Sequence, residues 1–416
     1  MITYYPKLGT STSPITVVPG GNSVDAFGRL RVSEPYSLFD SQNRYAADNQ
    51  FDTSTVTGGS TTYLPNEATV RMDVTTASGA EVVRQSFRSM LYQPGKGLLA
   101  LMTFVMNTPK ANLRQRVGYF GTQNGLYFEQ TGASPGTKAF VLRTYISGSV
   151  DNTTRRVEQS AWNKDKLDGT GPSGLTLDLT KPQILWMDFE WLGVGNVRTG
   201  FIINGQYIIC HTYQNANVTG NSVYMTTATL PVRYEITNTA ETASSSSLKQ
   251  ICSSVVSEGG LEPTSISHVA QRTTSLVGFG TTLVPLVSIR LASTALGAVV
   301  LPNAIKVLPT SADDFEIQLV KNATLTGASY SAVASDANVE YDVAATAMTG
   351  GTITQLDYVA SSVLGNVPLN EPGTFNWDTQ LGASLAGVSD VYTLGVRTIT
   401  GTGDIIGSIS FFDLTQ

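Results

Sequence analysis

The sequence predicts an all-β protein: an N-terminal extended arm, an antiparallel jelly-roll sandwich, and a second, smaller C-terminal β-sandwich. Three observations carry this. Short apolar or alternating runs recur along the chain, and no stretch carries the 3.6-residue apolar spacing of a helix. Asn-Gly pairs sit between aromatic-rich arms, a strong hairpin signal because both residues tolerate positive φ. Charged residues are only 14% of the 416 residues, against about 25% in ordinary soluble domains. Ser, Thr, Asn and Gly fill the gap, as on Thr-rich exposed strands.

Residues 1–40 read as an extended docking arm and first strand. Pro6, Pro14 and Pro19, set among Thr and Ser, exclude a helix there. So polar an arm gains little by packing on its own domain, and it is expected to lie along a partner. It runs into "VDAFGRLRVSEPYSLFDSQNRY", residues 24–45. There Arg29 and Arg31 alternate with Leu30 and Val32, so one face is basic and the other apolar. Two arginines on a short strand suit bidentate grip of carboxylates on a neighbour. Phe27, Tyr36 and Phe39 supply apolar anchors. The same stretch also reads as the first strand and corner of the sandwich itself, and the two readings are compatible.

Residues 41–260 carry the jelly-roll pattern. "LLALMTFVMN" (98–107) is a buried-strand run, and "RVGYFGTQNGLYFEQ" (116–130) is a hairpin expected to turn at Asn124-Gly125. "QILWMDFEWLGVG" (183–195) places Leu185, Met187, Phe189 and Trp191 on one face, and Ile184, Trp186, Asp188 and Glu190 on the other. "VRTGFIINGQYIICHTY" (197–213) repeats the hairpin at Asn204-Gly205. Residues 147–182 form a long connection, of the kind that carries contacts with partners. After "SEGGLEPTS" the texture turns poor in aromatics and rich in Ala, Thr, Ser and Val. Residues 261–416 then read as the second sandwich. Neither heptads nor collagen-like triplets occur, so a long fibre shaft is not expected.

The charge balance disfavours several functions. Lys and Arg number 26 against 32 Asp and Glu, a net charge of −6, so no basic field draws in nucleic acid. No segment approaches the roughly 18 apolar residues of a membrane-spanning helix. The start lacks a basic region followed by an apolar stretch, so no signal peptide is expected. Cys210 and Cys252 lie in apolar strand-like runs. They read as small buried hydrophobes on facing strands, with a disulfide between them left open.

The strongest enzyme signal is Asp188 with Glu190, two carboxylates leaving one strand face beside Trp186, a ring able to stack a sugar. The competing reading is a strand edge whose acids bond arginine or loop amides, and it is preferred. His211 and His268 are the two histidines, and neither has metal-ligand spacing. No GxSxG elbow occurs. "DKLDGTG" (165–171), with Asp165 and Asp168, reads as an Asx-turn loop in preference to a calcium loop. "GVGNVRTG" lies between strands with no following helix to cradle a phosphate. No catalytic residue, cofactor or metal is therefore assigned.

Four separated blocks carry a resemblance: "DAFGRLRVSEPYSLFDSQ", "LDGTGPSGLTLDLTKPQILWMDFEWLGVGNVRTGFIINGQ", "LPVRYEI" and "SSLKQICSSVVSEGG". Over about residues 24–260 the chain resembles a family of tailed-bacteriophage virion structural proteins, frequent in phages of cyanobacteria and other aquatic bacteria. The C-terminal "DVYTLGVRTITGTGDIIGSISFFDL" is similar to end segments of such proteins. The resemblance implies a concanavalin-type jelly roll and a non-enzymatic part of the particle: capsid decoration, head fibre, tail fibre or baseplate component. It implies other virion proteins as partners, a virion location after assembly in the host cytoplasm, and a homo-oligomer, with a trimer the first expectation. The alternative is a tail protein that binds or depolymerises host surface glycan with the face around Trp186, Asp188 and Glu190.

Overall fold

The computed structural model describes residues 2–4, 15–17, 34–146, 148–218, 223–262, 264–361, 365–369 and 375–415. Phe27, Arg29 and Arg31 lie outside the described residues. In the arm, Ile2–Tyr4 pairs antiparallel with Ile15–Val17.

The chain is all-β and antiparallel. Two eight-stranded sheets face each other in the larger sandwich. The first runs Ser149–Asp151, Thr137–Ile146, Gly125–Thr131, Leu113–Phe120, Val232–Asn238, Glu81–Ser86 and Phe51–Val56, with Arg156–Glu158 also pairing on Thr137–Ile146. The second runs Gln206–Tyr213, Val197–Ile203, Gln183–Phe189, Leu98–Val105, Ser246–Ser257, Thr69–Val74 and Gly59–Leu64. Tyr36–Gln42, the strand that follows the arm, pairs with the far half of Ser246–Ser257, from Cys252↔Gln42 to Ser257↔Tyr36. Period-two patterning builds the core. Leu98, Ala100, Met102 and Phe104 are buried on one strand, and Leu185, Met187 and Phe189 on its neighbour. Between the sheets Phe128 meets Phe201 edge-on at 5.3 Å.

The two Asn-Gly hairpins differ. Asn204 and Gly205, at φ 53° and 75°, form a two-residue turn that sets Ile203 opposite Gln206, as expected of primed turns. The first hairpin does not turn at Asn124-Gly125. Gly125 is already in the ladder opposite Phe120, and residues 121–124 make the turn. Asn124 is committed elsewhere: its Oδ1 accepts from Thr226 N at 3.0 Å and Tyr145 N at 3.2 Å, and its Nδ2 donates to Thr226 Oγ1 at 2.8 Å. Cross-loop hydrogen bonds here outrank local turn preference.

The second sandwich packs two smaller sheets. One contains Ile266–Gln271, Gly403–Asp413, Val300–Pro309 and Gly365–Pro368, with Leu276–Phe279 beside Gly403–Asp413. The other runs Ser331–Ala332, Val339–Asp342, Val284–Leu291, Val391–Thr398, Phe315–Lys321 and Thr352–Val359. Leu286, Ile289, Phe315, Leu394, Ile405 and Phe411 are among its buried core.

An apolar seam joins the sandwiches. Leu91 of the first packs with Val299, Leu301, Phe375, Phe412 and Leu414 of the second. Polar contacts edge it: Gln380 Nε2 donates to Ser89 O at 2.9 Å, Ala383 N to Phe87 O at 3.0 Å, and Leu385 N to Asp52 Oδ2 at 2.7 Å. Truncating a buried phenylalanine removes its transfer free energy and leaves a cavity, together about 3–5 kcal/mol. Phe412→Ala is expected to lower stability by that order in chemical denaturation, and to split unfolding into two transitions. A single transition at the unchanged midpoint would show that the seam does not couple the two bodies.

Candidate functional site

At one rim of the second sheet's outward face Asp188, Glu190, Asn196, Arg198 and Lys96 line a cavity of about 470 Å³. Asp188 stands opposite Arg198 in the ladder, and the two form a close ion pair. The chain leaves its strand at Phe189, so Glu190 is not the strand-face partner of Asp188 that alternation predicts. A turn takes over: Gly195 N donates to Trp191 O at 2.8 Å, and exposed Glu190 accepts from Asn196 N at 3.3 Å. Both acids line the cavity, reached by different routes.

The carboxyl that approaches Asp188 is Glu258, just past Ser246–Ser257, where its N–H bonds Gly97 O at 2.9 Å. Asp188 and Glu258 come from strands on either side of Leu98–Val105, and they close over the bare backbone of Gly97. A Cβ at Gly97 would sit 3.2 Å from Glu258 Oε2 and 3.9 Å from Asp188 Oδ1. Burial first, then the Asp188 charge and a hydrogen bond from the protonated acid, push the Glu258 carboxyl above its ordinary range, against the pull of Arg198. Sequence spacing could not find Glu258, because strand order alone brings residues 188 and 258 together.

Other expected site residues fall differently. Trp186 is 3% exposed, with Tyr207 edge-on at 5.5 Å, so it presents no open ring face to a sugar. Phe39 is a core residue, against Phe51 at 5.8 Å, and is not available as an anchor for a neighbour. Tyr36 faces the second sandwich, where its hydroxyl accepts from Trp377 Nε1 at 3.0 Å. Cys210 and Cys252 are both free. They lie in the same sheet, not on facing ones, with three strands between them. His211 is buried, which lowers it to about 4, and its Nδ1 accepts from Asn163 N at 3.3 Å. In the 165–171 loop, Asp165 accepts from Leu167 N at 2.9 Å and Ser173 N at 2.7 Å, and Asp168 from Thr170 N at 2.9 Å. The bonds to Leu167 and Thr170 are Asx turns, and that to Ser173 closes the loop. Among the described residues no group of three or more His, Cys, Asp or Glu is placed to hold a metal ion.

The first sheet carries an ionic lattice on the face away from the core. Arg116 bonds Glu129 at 2.7 Å and Glu235 at 3.2 Å. Arg114 and Arg233 each reach Glu235 at 3.1 Å, and Arg156 reaches Glu129 at 3.2 Å. Arg116 and Arg143 both lie 5.0 Å from the Tyr127 ring, and Arg233 lies 5.5 Å from Phe120. Burial pushes the Glu235 carboxyl up, but Arg116, Arg233 and Arg114 overcome this and hold it below its ordinary value. The alternation in "LRQRVGYF" and "VRYEIT" is the signal that could have placed these charges on one face.

No protein-family model matches the chain, and no curated protein does. Among solved structures it is similar to the CBM2 module of the evolved Dit of Lactobacillus casei BL23 phage J-1, at 8% identity and TM-score 0.34, over 55% of this chain and 98% of that one. It is similar to Bacillus licheniformis β-glucanase at 10% identity and TM-score 0.32, over 53% of this chain and 97% of that one. The potassium-bound carbohydrate recognition domain of Emp46p stands at 11% and 0.31, over 53% of this chain and 95% of that one. Likeness at this level transfers no activity, ligand or partner.

Two outcomes follow from the charge geometry. A carboxyl raised in the folded state supports the fold fully below its unfolded value, near 4.3 for glutamate, and loses that support as pH rises through its folded value. Glu258→Gln is therefore expected to gain stability relative to the parent between acid and neutral pH, read by denaturant melts across that range; a flat difference would contradict the raised acid. Glu235 has the opposite sign, its support being lost as pH falls through its lowered value. Glu235→Gln removes the carboxylate that Arg114, Arg116 and Arg233 share, and breaking a buried pair costs about 3–5 kcal/mol. Equilibrium unfolding at neutral pH should show a loss of that order.

Proposed function

We propose that the chain is a non-enzymatic structural component of a tailed-phage virion. It is displayed peripherally as a capsid decoration, head fibre, tail fibre or baseplate component. Its N-terminal arm docks it on other virion proteins, and its body faces outward toward host surface glycan. One observation carries the mechanical part of this reading: the strand that leaves the arm is gripped by both sandwiches. Tyr36–Gln42 is laddered into the jelly-roll sheet, Phe39 is in its core, and Tyr36 bonds Trp377 beyond the seam. A load on the arm is thereby shared by the whole body. The four sequence blocks that resemble virion structural proteins support the same assignment.

Charge pairing supports the non-enzymatic part. A retaining glycosidase sets two carboxyls about 5–5.5 Å apart, one acting as a free nucleophile. Here Asp188 is bound by Arg198, and Glu258 is hydrogen-bonded onto Asp188. The depolymerase alternative centres on Asp188 and Glu190 and has its own test. Asp188→Ala with Glu190→Ala is expected to leave the release of reducing ends from host envelope glycan at the background level of the parent; a parent activity abolished by the pair would establish an enzyme instead.

The docking role is tested at the arm. Arg29→Ala with Arg31→Ala is expected to reduce incorporation into particles severalfold while β content by circular dichroism stays unchanged. Normal incorporation of the double variant would sink the handle, and antibody labelling of intact particles in the electron microscope would assign it to head or tail.

A further inference from the structure

Lys96 separates the Asp188 cavity from a second one of about 530 Å³, placed where the jelly roll meets the end of the last strand. Tyr92, Trp191, Thr229, Glu262 and Leu414 line it together with Lys96. Its size lies within the 300–1,000 Å³ or so of small-molecule sites.

Three features of the lining point to one chemistry. The Lys96 side chain is 12% exposed, and its Nζ is shielded from solvent without a hydrogen-bond partner, the Glu262 carboxylate lying 3.8 Å away. An ammonium carries three donors, and leaving them unbonded out of water is costly. A ligand oxygen inserted between Lys96 and Glu262 relieves that cost. The second feature is Trp191, half-buried and held in orientation: its Nε1 donates to Met225 O at 3.0 Å, and Tyr92 lies perpendicular at 5.7 Å. A fixed aromatic ring offers dispersion contact to a flat apolar surface. The third is charge. Glu262 on this side, with Asp188 and Glu190 across Lys96, set three carboxylates against Lys96 and Arg198, a balance that disfavours an anionic ligand. A hydroxyl is a neutral ligand group that both accepts from an ammonium and donates to a carboxylate.

We propose that this cavity binds a neutral hexose unit of a surface glycan, its C–H face against Trp191 and a hydroxyl bridging Lys96 Nζ and Glu262. The site extends the outward, glycan-facing part of the proposed function and rests on it for the source of the sugar. Sugar binding is measured on the purified chain and docking on particles, so either can fail alone.

The full-length protein is titrated, by tryptophan fluorescence and calorimetry, with neutral tetrasaccharides of glucose, mannose, galactose, rhamnose and N-acetylglucosamine, and with tetragalacturonate. Saturable binding of at least one neutral tetrasaccharide is expected. Lys96→Met and Trp191→Ala should each weaken it at least tenfold, and Trp191→Phe should retain more binding than Trp191→Ala. Should Trp191→Ala fail to fold, Lys96→Met and Trp191→Phe decide. Binding by none of the neutral sugars, binding by tetragalacturonate alone, or affinity within twofold of the parent in Lys96→Met would overturn the site.

Discussion

Leu91, Phe412 and Leu414 meet in an apolar patch that neither sandwich can bury alone, and the functional geometry hangs on that closure. With the seam shut, Leu414 walls the cavity beside Lys96 and Trp377 reaches the Tyr36 hydroxyl. With it open, both features disappear while each sandwich keeps its own core. Burying apolar side chains supplies about 25 cal/mol per Å² without directional demand. The hydrogen bonds from Gln380, Ala383 and Leu385 add the direction, so the mutual placement of the bodies is set as well as favoured.

The polar faces follow a related rule. Where charge leaves water it is saturated by opposite charge, as Glu235 is by three arginines, or by neutral hydrogen-bond partners, as Asp165 is by backbone N–H groups. Asp188 has Arg198 on one side and the Glu258 carboxyl on the other. Lys96 Nζ departs from this pattern, with its nearest carboxylate beyond hydrogen-bond reach. A departure of that kind in a cavity wall is a physical reason to look for a ligand.

Much of the fold was legible because it is written in local periodicity. Leu98 to Phe104 and Leu185 to Phe189 alternate as strands must, and Asn204-Gly205 turns where two positive φ values are needed. The losses came where distant contacts override local preference. Asn124 gave up its turn to bond Thr226 and Tyr145. Trp186 was rightly placed off the core face, yet Tyr207 from a neighbouring hairpin covers it. Glu258 joins Asp188 only because Leu98–Val105 runs between their strands with a glycine at position 97. No window of sequence contains that fact.

The lattice around Glu235 and Glu129 has a consequence for how such a chain can diverge. Each carboxylate there answers to several arginines, and Arg116 answers to both carboxylates. A single charge change strands its partners out of water, whereas two compensating changes restore the balance. Descendant sequences should therefore drift at positions 114, 116, 129, 156, 233 and 235 in correlated steps. On the Thr352–Val359 strand the solvent-facing positions Ile353 and Leu356 are free to drift one residue at a time.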